Sequence, residues 1–557
     1  ELVTECSPKL WVQQCTQMLT PSRPPPEDYY QNNCRSLFQH LLEHADDLFD
    51  AHELKQVHAF FRLGDDAQRL FARLLTRKGQ TVRVDSLDYA EVTDEPGAIV
   101  ELERAGLVQI NAHVNADLLL TRLTRQELAD LIALDKRQAG KLKKPGLVAM
   151  VLSGRSDRRV CQLVAAQHPY LSIVNPHVWQ LCLILYFGES GQDWTTFVRR
   201  DLGQMRFERL PLDSRQFNNR SALARAMHYR RLSALSHRVT ECPGLGLALA
   251  KELSQVPTDR WLQRRRDRSL LRVARIMEQQ GTEQDALDVY SMVERHPARE
   301  RRVRIHTKLG QTAAAETLLE QVRAQPYNLE ETQFAARFGR RGAGYQPPQD
   351  TLEIPAPQDD TSIELTAAEL LVREHRAAFA VHTENRLART LTGLMFWSMI
   401  FAPVKGAFTN PFQIAPHDLW YEEFVLERAA CLAKIEALVV DAASLETQFK
   451  SVLTEKRGIA NPLVDWNLLD TLSLDVLLKA VPWQDIQRLC GFMIRNLSQF
   501  RSGFPDLFVV YLDGHYEFVE VKGPGDQLQP GQRVWFQAFA NLQLPARVLR
   551  LKVKDRG

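Results

Sequence analysis

The chain has 557 residues, 45% hydrophobic and 25% charged, with a formal net charge of +2. These ordinary globular proportions suit about three or four domains and exclude a wholly disordered, collagen-like or coiled-coil chain. They also exclude a polycation, so any affinity for nucleic acid has to come from local patches.

The longest apolar runs, 178–187 and 391–404, are interrupted by polar residues and fall short of the ~20 residues a bilayer span needs, so no membrane partner is expected. The chain opens on Glu1-Leu2-Val3-Thr4-Glu5-Cys6 without a methionine. This end reads as trimmed, and no basic start followed by an apolar core signals secretion. The eight cysteines are scattered, without a Cys-x-x-Cys. Neither structural zinc nor a disulfide framework is expected, and reduced intracellular thiols fit better.

In chain order, residues 1–30 read as an irregular lead-in punctuated by Pro21, Pro24, Pro25 and Pro26. Leu37, Leu41, Leu48, Phe60, Leu70, Phe71 and Leu74 then recur at helical spacings. Val82-Arg83-Val84 is a candidate strand. The first domain, 1–114, is therefore expected to be mostly helical with one small sheet element. Over 115–153, Thr124 and Glu127 form a capping box ahead of an apolar stripe, and a loop with Lys141, Lys143 and Lys144 leads to a further helix. This pair of short helices resembles a SAP-type DNA-binding segment; the plain alternative is a helical hairpin with a solvated basic loop.

The stretch 154–345 reads as helical throughout. Within it, Gly281, Pro297 and Gly310 separate apolar segments that resemble degenerate tetratricopeptide-like pairs. Between Arg260 and Lys308 stand thirteen basic and seven acidic residues, so the rest of the chain carries a net charge of −4. Guanidinium groups on helix faces suit phosphate contacts, with Arg264, Arg265 and Arg301 as candidates; a solvated charged face is the alternative. Residues 342–360 are rich in Gly, Pro, Gln and Asp, so 346–360 is expected to be a linker. A last domain follows over 361–557.

The chemistry concentrates near the end. Two apolar runs, 503–512 and 516–523, flank Asp513-Gly514 and predict a hairpin of buried strands. Their ends carry Asp506, Glu520 and Lys522. Glu520 and Lys522 share a strand face. A two-residue turn would put Asp506 opposite residue 521 and separate the carboxylates. A three-residue loop, Leu512-Asp513-Gly514 with Gly514 left-handed, pairs 506 with 520 and is the expectation, since one metal needs both. Two carboxylates suit Mg²⁺ or Mn²⁺. Such an ion stabilises phosphodiester charge and acidifies water. Lys522 would position that water, and the Val521 carbonyl, pointing the other way along the strand, is a further oxygen.

Pro505-Asp506 followed by Glu520-Val521-Lys522 resembles the PD-(D/E)xK nuclease signature. With Gly523-Pro524-Gly525-Asp526-Gln527-Leu528, Gln532 and Trp535, the run resembles the virus-type replication-repair nuclease (VRR-NUC) domain. With the segments ahead of it, the chain resembles the Fanconi-associated nuclease family in a bacterial version. The motif-level likeness is confined to about 501–540.

That resemblance implies a restriction-endonuclease-like α/β domain in which a mixed sheet includes a strand over 547–553. It implies a third metal carboxylate, matched by Glu384 in His382-Thr383-Glu384-Asn385-Arg386. Glu384 also falls on the apolar stripe of Leu387, Leu391, Leu394, Met395 and Ser398, where a carboxylate needs a partner; a first-turn Glu after an N-cap Thr383 is the alternative. Asp526 would support the site or contact DNA. Gln527 departs from a basic residue expected in animal relatives. Gln532 would support the site, and Arg501 would touch phosphate.

The implied activity is structure-specific cutting of 5′ flaps and branched DNA, with 5′→3′ exonuclease progress, in interstrand crosslink repair. The implied setting is a monomer on bacterial cytoplasmic DNA. The rivals are a junction resolvase or restriction-type nuclease, and a non-enzymatic scaffold for branched DNA. No Gly-x-Ser-x-Gly or Walker-type loop supports a serine hydrolase or an ATPase.

Overall fold

The computed structural model describes residues 28–553, apart from 78, 189–192, 211, 213–214, 243, 340–344, 355–361 and 376. The expected lead-in over 1–30 lies almost entirely outside these residues. The described residues form two compact units, one over 28–220 with 409–413 and one over 221–408 with 414–553.

In the first unit, the predicted periodicity makes helices Tyr29–His44, Ala51–Phe61, Asp65–Thr76 and Glu95–Arg104. Leu37, Phe38 and Leu41 turn inward from the first, and Phe38 meets Phe60 at 5.0 Å between ring centres. Strands β1 (Thr81–Arg83), β2 (Val108–Ile110) and β3 (Tyr170–Ile173) form an antiparallel sheet in the order β1-β3-β2. β3 corrects the expectation that 154–345 is helical throughout. Its four residues are too few for periodicity to speak, and its partners lie about sixty and ninety residues earlier.

The SAP-like segment holds four short helices, Ala116–Leu120, Arg125–Leu131, Lys136–Ala139 and Lys144–Leu152. The Thr124–Glu127 capping box is present. Leu119, Leu128 and Leu147 share one core with Val160, Val164 and Tyr170. The expected boundary at 153/154 therefore runs through continuous packing and separates nothing.

In the second unit, helices Arg260–Gln279, Glu283–Ser291, Ala298–Lys308, Thr312–Ala324 and Leu329–Arg337 each pack on the next. Leu270, Val273, Ala286 and Tyr290 fill the first interfaces, and Val303, Leu318, Leu319 and Phe334 the later ones. A five-stranded sheet follows: β4 (Gln349–Ile354), β5 (Ala377–His382), β6 (Leu507–Tyr511), β7 (Tyr516–Lys522) and β8 (Ala546–Val553), in the order β4-β8-β7-β6-β5. β4 and β7 flank β8 in parallel, while β5, β6 and β7 are antiparallel.

β4 corrects the linker expected over 346–360. Its buried Leu352 and Ile354 alternate with exposed polar residues, the pattern of an edge strand. The last domain therefore begins before 361. Phe508, Val510 and Phe518 face a core shared with helices Arg386–Met395, Trp483–Arg495 and Pro530–Leu542. Leu507, Val509, Val519 and Val521 face the helix Ile363–Glu374. This is the expected mixed sheet flanked by helices. Among the described residues no helix is long and apolar enough to cross a membrane.

Candidate active site

The register settles the parity question. Leu507 pairs with Val519, Phe508 with Phe518 and Val510 with Tyr516. Tyr511 N–H donates to His515 O at 2.8 Å, Gly514 N–H donates to Tyr511 O at 3.0 Å, and Gly514 sits at φ +90°. The loop is the three-residue form, so Asp506 stands opposite Glu520 on the face that carries Phe508 and Phe518.

Glu520 is 1% exposed. Its Oε1 receives both Lys522 Nζ, at 2.8 Å, and the Gln532 side-chain amide. Its Oε2 is buried and finds no partner among the described residues. Burial, and next the charge of Asp506, push its carboxyl up to about 8, with Glu384 adding to the push and Lys522 opposing it. An orphaned buried carboxylate oxygen is costly unless a proton or a cation meets it. That oxygen fits a hard divalent ion.

Asp506 Oδ2 accepts the Val521 N–H at 2.9 Å. Burial raises the Asp506 carboxyl, and this hydrogen bond pulls it back. In a ladder, a residue's N–H and C=O face the same neighbouring strand. The Val521 carbonyl therefore faces the Asp506 side, where Pro505, opposite it, has no N–H to offer. Gly503 holds the approach to Asp506 at φ +88°. A Cβ there would lie 2.9 Å from the Gly531 carbonyl carbon, so the loop runs hard against the start of the helix Pro530–Leu542. Trp535 Nε1 donates to Ser502 O at 3.0 Å and fastens the same loop.

Glu384 stands at this end of the sheet but not as expected. The helix begins at Arg386, after Asn385. Glu384 precedes it at φ +38° and is exposed. It lies on no helix stripe and is not buried, and Thr383 is not the cap. Its N–H and that of Thr383 both donate to the Asp506 carbonyl, at 3.0 and 2.8 Å. Among the described residues, no three His, Cys, Asp or Glu side chains are gathered around one point as packed here. Asp506 is turned to Val521 and Glu384 to Asn385.

Gln532 accepts the Gln529 N–H on its oxygen at 2.9 Å, which turns its NH₂ toward Glu520. Asp526 holds the turn after β7 by accepting the Gly523 N–H at 3.1 Å. Nothing in the structure gives Gln527 a role.

The chain's relatives decide the family. A VRR-NUC domain matches over 441–552 and a FAN1, HTH domain over 28–109. The first covers Asp506, Glu520 and Lys522 but leaves Glu384 outside. A Fanconi-associated nuclease 1 homolog from Pseudomonas aeruginosa is 30% identical, over 95% of this chain and 96% of its own length. The chain belongs to the Fanconi-associated nuclease family. An Arabidopsis thaliana homolog is 24% identical over 92% of this chain and 65% of its own length. The crystal structure of paFAN1 bound to 5′ flap DNA with a 2-nucleotide flap and a gap is 28% identical, covering 96% of this chain and all of that one, with a TM-score of 0.86.

In this Fanconi-associated nuclease, several basic residues expected at DNA are already engaged. Arg301 is clamped on Glu278, its Nε at 3.0 Å. Arg264 lies 3.7 Å over the Tyr421 ring and pairs with Glu423. Lys144 donates to Thr121 O at 2.8 Å, while Lys141 and Lys143 are exposed. Arg501 lies over the Trp420 ring at 4.5 Å. Burial holds the Arg501 guanidinium below its ordinary value, and the charges of Arg268, Arg295 and Arg389 add to that. Arg265 is lowered by burial and by Arg268. These arginines come from three distant stretches of chain, so sequence reading caught Arg265 and Arg501 but passed over Arg268, Arg295 and Arg389.

Proposed function

We propose that this nuclease cuts 5′ flaps and branched DNA near the junction, with 5′→3′ exonuclease progress, and acts in interstrand crosslink repair. The carrying observation is the register that sets Asp506 beside Glu520 while leaving one buried Glu520 oxygen without a partner. The flap-bound state of the Pseudomonas relative supports the substrate class.

Glu384, Asp506, Glu520 and the Val521 carbonyl would hold Mg²⁺ or Mn²⁺. Such an ion, when bound, supplies charge stabilisation at the phosphodiester and a more acidic water. Lys522, already against Glu520, offsets negative charge and orients the attacking water. Gln532 keeps the Glu520 carboxylate pointed into the site, and Asp526 keeps the strand end in place. Arg501, with Arg268, Arg295 and Arg389, offers a cluster of cations whose mutual repulsion a phosphate backbone relieves. Lys141, Lys143, Arg264 and Arg265 are contacts of lower rank, and Arg301 is assigned to the fold. The protein works as a monomer.

The test is cleavage of an end-labelled 5′ flap with Mg²⁺ or Mn²⁺, wild type beside Asp506→Ala. Metal-dependent cuts near the junction that vanish in the variant are expected. Tight binding without cutting, in both metals, would point to a scaffold. Cutting that survives Asp506→Ala would move the site elsewhere.

A further inference from the structure

We infer that Asn385 is a positioning residue that holds the Glu384 carboxylate and ties it to the Asp506 segment, from which a bound metal would gather it with Asp506 and Glu520. This rests on the reading of Glu384 as a metal carboxylate.

Asn385 occupies the position just before the helix Arg386–Met395, where an asparagine ordinarily caps the helix by accepting one of its N–H groups. It makes no such bond. Its Oδ1 instead accepts the Phe504 N–H at 3.1 Å, across 119 positions of sequence. Its Nδ2 donates to Glu384 Oε1 at 3.1 Å. A backbone N–H can only donate, so the amide oxygen must face Phe504 and the NH₂ must face Glu384. The orientation follows from chemistry and leaves no flipped alternative.

Phe504 lies two residues before Asp506, so one amide spans both carboxylate-bearing segments. The surrounding backbone is tied to the same point: Thr383 and Glu384 both donate to the Asp506 carbonyl, and Glu384 adopts a left-handed φ of +38°. For a residue with a Cβ that conformation is unfavourable. The two backbone bonds set where residue 384 sits. Among the described residues, Asn385 is the one hydrogen-bond partner of the Glu384 carboxylate. A donor directed at one carboxylate oxygen leaves the other for an incoming cation. A ligand oriented in advance binds more tightly, because less freedom is lost on binding.

Asn385→Asp separates positioning from scaffolding. It keeps an oxygen for the Phe504 N–H but replaces the NH₂ facing Glu384 with a like-charged oxygen. Asn385→Ala removes both bonds. The experiment uses the full chain and reads Mn²⁺ binding by calorimetry without DNA, the Mn²⁺ midpoint of flap cleavage, and flap affinity and melting in EDTA. In both variants, flap affinity in EDTA is expected to stay within about twofold of wild type. The Mn²⁺ midpoints are expected to rise at least tenfold, with cutting largely restored at saturating Mn²⁺. Glu384→Gln is the control. A Mn²⁺ midpoint unmoved by Glu384→Gln overturns the Glu384 reading and this role with it. A midpoint moved by Glu384→Gln but unchanged or lowered by Asn385→Asp overturns the Asn385 role alone. Asn385→Asp carries the test if Asn385→Ala does not fold.

Discussion

In the helices over 260–337, basic residues outnumber acids, yet several arginines are each matched to an acid. Arg299 pairs at 2.5 Å with Glu331, which has no exposed surface. Arg301 is locked to Glu278, and Arg260 and Arg264 meet Glu423. At the end of the sheet the balance fails. Asp506 and Glu520 stand side by side, and a buried Glu520 oxygen has no partner. Around Arg501 it fails with the opposite sign. Charges that find each other inside the chain build its fold. Charges left facing their own kind wait for a ligand, and counting charges along a sequence cannot tell the two apart.

The largest effect should come from the unbalanced site. Glu520→Gln keeps the shape and removes the charge. Flap cutting is expected to fall by about a hundredfold or more, with flap affinity in EDTA unchanged. Cutting within tenfold of wild type would dissolve the contrast at its strongest point. On the balanced side, Arg299→Ala strands the buried Glu331. The expected loss is about 3–5 kcal/mol in urea unfolding. A loss under about 1 kcal/mol would mean that the pair is not built into the fold.

Gly503→Ala tests the loop that carries Asp506. Its left-handed φ and the 2.9 Å approach of a Cβ to the Gly531 backbone should cost about 1–3 kcal/mol in melting and unfolding experiments. Cutting should fall further than stability alone predicts, since Asp506 moves with the loop. Arg501→Ala should weaken flap binding a few-fold and lower the slope of log affinity against log salt by about 1. Arg301→Ala should lower stability and leave that slope alone. The reverse outcome would exchange their assignments.

A pH trend in the metal-free protein tests the unbalanced site without DNA. Glu520, ordinarily near 4.5, is pushed up to about 8 in the fold. The folded state thus holds a proton that the unfolded state has released, and stability should decline as pH rises between those values. Urea midpoints in EDTA from about pH 5 to 8.5 should show this decline in wild type and lose it in Glu520→Gln.

Some of this was legible from residues alone. Side-chain alternation and a Gly514 able to take positive φ allowed the Asp506–Glu520 pairing, but the choice over the two-residue turn rested on the need of one metal for both carboxylates. Glu384 was reached by family resemblance, and the physical reasons attached to it were mistaken. The helix starts two residues later than the stripe argument assumed, so Glu384 sits exposed in a turn. β3 and β4 were missed because short strands take their identity from distant partners. β4 pairs with β8 nearly two hundred residues away.

The sequence by itself determined the elements with a local cause: the periodic helices, the Thr124–Glu127 capping box, and a hairpin about Asp513-Gly514, whose register it left open between two turns. Tertiary structure decided which arginines are engaged and which are crowded, that Asn385 joins Glu384 to the Asp506 loop, and that one oxygen of Glu520 is buried without a partner. Those outcomes depend on groups meeting across tens to more than a hundred residues. Local spacing carries no record of such meetings.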